Sequence, residues 1–104
     1  MTGAANPLRG EAVVQIENAA VMLRPTFQAL VAAEQELGPL FDLVERAAAG
    51  RMGLAEMVAL FWHCLTDPPE GVTRERLGEA IAEAGLAAVA PVLKRLLHQI
   101  LAGR

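Results

Sequence analysis

Chain breakers at Gly38-Pro39, Gly50, Asp67-Pro68-Pro69-Glu70-Gly71 and Gly85 cut everything after Pro25 into short pieces. A piece of that length, bounded by glycine or proline, holds one regular element at most. Apolar residues recur at helical spacing in each piece, so the chain after residue 25 is restricted to a set of short helices that must pack on one another.

The first helix starts behind Thr26, whose hydroxyl can accept a free amide of the first turn, and carries Phe27, Leu30, Val31 and Leu37 up to Gly38. Pro39 opens the second, with Leu40, Leu43, Val44 and Ala47 opposite Asp42, Glu45 and Arg46. The third, about Leu54 to Leu65, is apolar almost all round: Leu54, Met57, Val58, Phe61 and Leu65 share a face, and Leu60, Trp62 and Cys64 widen it. Only Glu56, Ala59 and His63 are left for solvent, which predicts a helix at the centre of the fold or one covered by a partner. Val72, Thr73 and Leu77 fit a hydrophobic staple around a cap, so a fourth helix runs from Arg74 to Gly85. A fifth, roughly Ala87 to Ala102, sets Val89, Val92, Leu93, Leu96, Leu97 and Ile100 against Lys94, Arg95 and His98, with Pro91 expected in its first turn.

Before Pro25 the period changes to two. Ala12, Val14 and Ile16 alternate with polar residues between Glu11 and Glu17, and Val21 and Leu23 repeat the pattern up to Arg24. Asn18-Ala19-Ala20 joins the runs as a turn, a weaker signal than Asn-Gly. Two strands alone are marginal in water, so the hairpin must lie on the helices. The expected fold is therefore α+β: a mostly α-helical bundle of about five helices with a short N-terminal β-hairpin. Residues 1–10 are expected to form a flexible arm and 11–104 a single domain, with the hairpin over 11–24 and helices over 26–102.

Composition narrows function. The chain is 54% hydrophobic, against roughly 45–50% with glycine included for an average globular protein, so it is not disordered. It contains no serine, which removes serine nucleophiles. Its net charge is −3 and basic residues never cluster; Arg74, Arg76, Lys94 and Arg95 are diluted by acidic neighbours or stand alone, so nucleic acid is not an expected partner. The lone Cys64 cannot form an internal disulfide, no segment is long and apolar enough to cross a bilayer, and no signal peptide opens the chain, so a cytoplasmic location with no membrane partner is expected.

The residues that could carry chemistry do not combine. His63 and Cys64 are adjacent on a helix and point about 100° apart, so they cannot work as a dyad. Two distant histidines and one cysteine supply no metal-ligand pattern, and Gly50-x-x-Gly53 lacks the lysine of a phosphate loop. No catalytic residue, metal or cofactor is expected. Glu34, on an otherwise apolar stripe, is expected to be partly buried and paired with Arg24 or another arginine.

The segment Leu23-Arg24-Pro25-Thr26-Phe27, with Ala29-Leu30 and Glu34 after it, the opening Asn6-Pro7-Leu8-Arg9-Gly10-Glu11, and Glu83-Ala84-Gly85-Leu86 before an aliphatic helix together resemble one family. It is the small tail-assembly chaperone family of tailed phages, in the branch found in gene transfer agents and prophages of alphaproteobacteria, a branch also described as tail tube proteins. The resemblance spans about Asn6 to Leu101. It implies a non-catalytic role in building a phage-like tail, by holding the tape-measure protein while tube subunits polymerise, or as a tube component that stays in the particle. The surplus aliphatic helix surface suits such a task, and Leu60, Trp62, Leu93 and Leu97 are the expected partner-binding residues. A dimer face shared between copies is the other use of the same surplus.

Overall fold

The computed structural model describes residues 12–103; the expected arm over residues 1–10 lies outside them. Two strands, β1 (Ala12–Ile16) and β2 (Ala19–Leu23), form an antiparallel hairpin. Five helices follow: α1 (Phe27–Leu37), α2 (Leu40–Ala48), α3 (Leu54–Cys64), α4 (Arg74–Ala84) and α5 (Leu86–Ala102). The expected α+β architecture, mostly helical with an N-terminal hairpin, is the one observed.

The hairpin turn is tighter than its sequence suggests. Ile16 pairs with Ala19, leaving Glu17 and Asn18 as a two-residue loop with φ of 48° and 72°. Positive φ at both positions matches the twist of the strands, and asparagine tolerates it where alanine would not. The turn is thus Glu17-Asn18, and Ala19 and Ala20 belong to β2 rather than to the loop.

One face of the hairpin, Ala12, Val14, Ile16, Val21 and Leu23, is buried, and α4 and α5 pack against β1. The outer edge of β2 is closed by the chain leaving α3. Leu23 and Leu65 form an antiparallel bridge, the Arg24 N–H donates to the Cys64 carbonyl at 2.8 Å, and the Thr66 N–H donates to the Met22 carbonyl at 3.0 Å. This isolated bridge and its two flanking hydrogen bonds satisfy backbone groups that an edge would otherwise expose.

At the centre lies α3, packed against α1 and α4. Its Met57, Val58, Ala59, Leu60, Phe61 and Cys64 are all buried, which explains the nearly continuous apolar run. Ala59, expected on a solvent face, is 1% exposed. Caps fall where the sequence places them: the Thr26 hydroxyl accepts from the Ala29 N–H and the Thr73 hydroxyl from the Arg76 N–H, both at 3.1 Å. In α5 the helix begins at Leu86, which puts Pro91 beyond the first turn. The amide that proline lacks would have bonded the carbonyl of Ala87, and both residues are exposed, so water can serve that carbonyl instead.

A candidate partner-binding cleft

The first helix buries an unexpected face. Its buried residues are Ala29 and Ala33, a small-residue pair one turn apart that lets α1 lie close against α3. Leu30 and Leu37 flank that contact half-buried, while Phe27 and Val31, expected in the core, stand in solvent at 82% and 36% exposure. Phe41 on α2 is 78% exposed and Leu101 near the end of α5 is 58% exposed.

Phe41 and Leu101 line a depression, and Phe27 lies on α1 one helical turn before Leu30, which also lines it. Leu30 and Glu34 of α1, Leu40, Phe41 and Val44 of α2, and Ile100 and Leu101 of α5 line a cleft of about 220 Å³. A second hollow beside Pro25 and Thr26 shares Leu30 and Ile100 with it, so the apolar surface continues toward the start of α1. Pockets for whole small molecules run to roughly 300–1,000 Å³ and carry several converging polar groups. This cleft is smaller and offers one carboxylate, so it suits one or two bulky apolar side chains of another protein.

That carboxylate has a structural task. Glu34 is exposed rather than partly buried, and its Oε2 accepts the Leu40 N–H at 3.1 Å, supplying α2 with the N-terminal acceptor that Pro39 cannot. Arg24 takes part elsewhere, with its Nε directed to the Met22 sulfur at 3.4 Å.

The expected partner residues divide. Leu60 is fully buried, so it is core and presents nothing to another chain. Its position on α3 faces inward because α3 packs against both α1 and α4, a fact that periodicity cannot supply for a helix apolar on every side. Trp62, Leu93 and Leu97 are half-buried and packed against the core, each with some surface left. Phe41 and Leu101 fall outside the stripes read from the sequence, and Phe27 belongs to the stripe expected to face inward on α1; its position off the Ala29-Ala33 stripe is the signal that could have put it at the surface.

Charged groups elsewhere tie helices together. Glu36 of α1 receives His63 Nε2 of α3 at 2.8 Å and also the Arg74 guanidinium of α4. The Arg74 hydrogen bond first, then that of His63, holds the Glu36 carboxyl below the usual carboxylate range. Glu56 of α3 accepts from Arg46 of α2 and from the Gly53 N–H at 3.0 Å, and those contacts, the arginine first, lower its pKa as well. Cys64 is fully buried, and desolvation pushes its thiol up to about 12, which makes it an unreactive core residue. Among the described residues no group of three or more His, Cys, Asp or Glu side chains could hold a metal ion, and no helix is long and apolar enough to cross a membrane.

The described residues thus form a small, mostly helical fold with a covered hairpin edge and an apolar cleft lined by Phe41 and Leu101. Residues 9–103 match the family described as phage tail tube protein, GTA-gp10, and the chain belongs to that family. It is thus a phage tail-related protein of the gene transfer agent type. No curated protein and no solved structure shows significant similarity to it.

Proposed function

We propose that this chain is a non-catalytic assembly factor that chaperones the tape-measure protein of a phage-like particle during tail building. The supporting observation is the exposure of Phe41 and Leu101, at 78% and 58%, in the lining of an apolar cleft, with Phe27, 82% exposed, one helical turn before Leu30 of that lining. Isolated apolar residues on a surface are ordinary, but an exposed phenylalanine and leucine in one depression, with a second exposed phenylalanine a helical turn from its lining, make a docking patch. A tape measure offers the complement, a long helix whose apolar face needs cover until tube subunits enclose it. Leu30, Leu40 and Ile100 would form the floor of the seat and Phe27, Phe41 and Leu101 its rim, with Trp62, Leu93 and Leu97 extending the contact from neighbouring faces. Action in the cytoplasm, before the particle is complete, follows from this reading.

The second reading is a structural tube component, favoured by the family's own description. Quantitative mass spectrometry of purified particles separates the two. A chaperone is scarce relative to the shaft proteins, whereas a tube subunit is present in many copies per particle.

A further inference from the structure

A second surface lies away from the cleft, on α3 and α4. Leu54, Ala55 and Val58 of α3 and Gly78 and Ala82 of α4 line a shallow groove of about 790 Å³. Four carboxylates, Glu36, Glu56, Glu75 and Glu79, border it against one guanidinium, Arg74. Glu36 and Glu56 are engaged by Arg74 and Arg46. Glu75 and Glu79 are exposed, and among the described residues no ion pair engages either. An apolar floor under uncompensated negative charge selects a helix whose apolar stripe is bordered by cations.

The chain itself carries such a helix. Between Leu86 and Ala102, α5 has no acidic residue, and its charged side chains are Lys94 and Arg95. Leu86, Ala90, Leu93 and Leu97 fall on one side of it at helical spacing, beside the core-facing Val89 and Leu96, and Lys94 borders them toward solvent. Leu86 and Ala90 are exposed, and Leu93 and Leu97 half-buried.

We propose that the acid-rimmed groove between α3 and α4 receives the α5 face of a second copy of this chain. The two surfaces are different patches of one molecule, so a single groove-to-helix contact leaves one free groove and one free α5 face, which a further copy or the same partner can fill. This contact shares Leu93 and Leu97 with the outer part of the tape-measure contact, but its test alters only Glu75, Glu79, Leu86 and Lys94 and leaves Phe27 and Phe41 intact, so the two readings can fail separately.

The test is sedimentation velocity on the full chain over a concentration series, at low and high salt. The weight-average sedimentation coefficient should rise with concentration at low salt and fall back toward the monomer value as salt screens the contact. A groove variant, Glu75→Gln with Glu79→Lys, and a helix variant, Leu86→Ser with Lys94→Gln, should each be monomeric alone. Mixed in equal amounts, they retain one intact contact between them and should form a dimer and nothing larger. All four positions are exposed, so both variants should keep the wild-type circular dichroism and melting curve; the milder Glu79→Gln should move association to higher concentration. A wild-type protein that stays monomeric throughout, a variant that still associates with itself, or a mixture that stays monomeric overturns the proposal.

Discussion

Thr66 donates to the Met22 carbonyl twice, through its backbone N–H at 3.0 Å and its hydroxyl at 2.6 Å. This pair fastens the chain emerging from α3 to the outer edge of the hairpin and joins residues far apart in sequence. Replacing Thr66 with valine keeps the backbone bond and the side-chain shape while deleting the hydroxyl. The cost should be about 0.5–1.5 kcal/mol. For a domain of this size about 1 kcal/mol lowers the melting temperature by roughly 4–8 °C, which thermal denaturation followed by circular dichroism will read.

Glu36 links three helices, and its stability contribution has a defined pH window. Because its folded pKa is depressed by Arg74 and His63, the unfolded chain binds its proton more readily than the folded one. The stabilisation is therefore complete above the ordinary glutamate pKa and is lost as pH falls through the lower folded value. Glu36→Gln should be less stable than wild type near neutrality, and the two denaturation midpoints should converge in acid. Urea titrations across that range will show convergence or its absence.

Cys64 should behave as a reporter of unfolding. Buried completely and with its thiol pushed up to about 12, it holds almost no thiolate near neutral pH. Alkylation by iodoacetamide should be negligible in the folded protein and appear at the denaturant concentration where circular dichroism is lost. Reaction in native buffer at the rate of a free thiol would place Cys64 at the surface.

Gly78 sits within α4, where a Cβ would stand 3.7 Å from the Val58 methyl groups, an ordinary van der Waals distance. Its backbone does not require glycine, so Gly78→Ala should stabilise the helix by about 0.5–1 kcal/mol and raise the melting temperature. A loss of stability would mean that α3 and α4 lie closer together than this.

Much of this fold could be read from the residues alone. The alternation at Ala12, Val14 and Ile16 located the buried hairpin face, and Thr26, Thr73, Gly38 and Gly85 marked helix ends because their chemistry acts locally. What could not be read was decided by packing. In α1 both Phe27-Val31 and Ala29-Ala33 recur at helical spacing, and only the neighbouring α3, which admits a small-residue face, determines that the alanines go inside. The same applies to Leu60, on a helix apolar on every side, and to Glu34, whose partner is the first amide of a different helix. Because the candidate cleft is built from the bulky residues that α1 and α2 leave outside, it became visible only after the core had been assigned.

Leu60 and Phe41 should therefore respond oppositely to substitution. Leu60→Ala removes a fully buried side chain and should cost about 2–5 kcal/mol, whereas Phe27→Ser and Phe41→Ser should change stability by no more than about 0.5 kcal/mol. Melting curves of the three variants would show this contrast.

If the cleft seats another tail protein as proposed, its exposed aromatic residues carry the contact. The direct measurement is co-expression of this chain with the tape-measure protein of the same particle, followed by quantitative recovery of the complex with the wild type and with the Phe27→Ser, Phe41→Ser double variant. Wild type should retain the tape measure in soluble form, and the double variant, equally folded, should lose at least about tenfold in affinity, equivalent to about 1.4 kcal/mol. Undiminished binding by the double variant, or a folded wild type that leaves the tape measure unbound and insoluble, would show that the cleft does not serve this purpose.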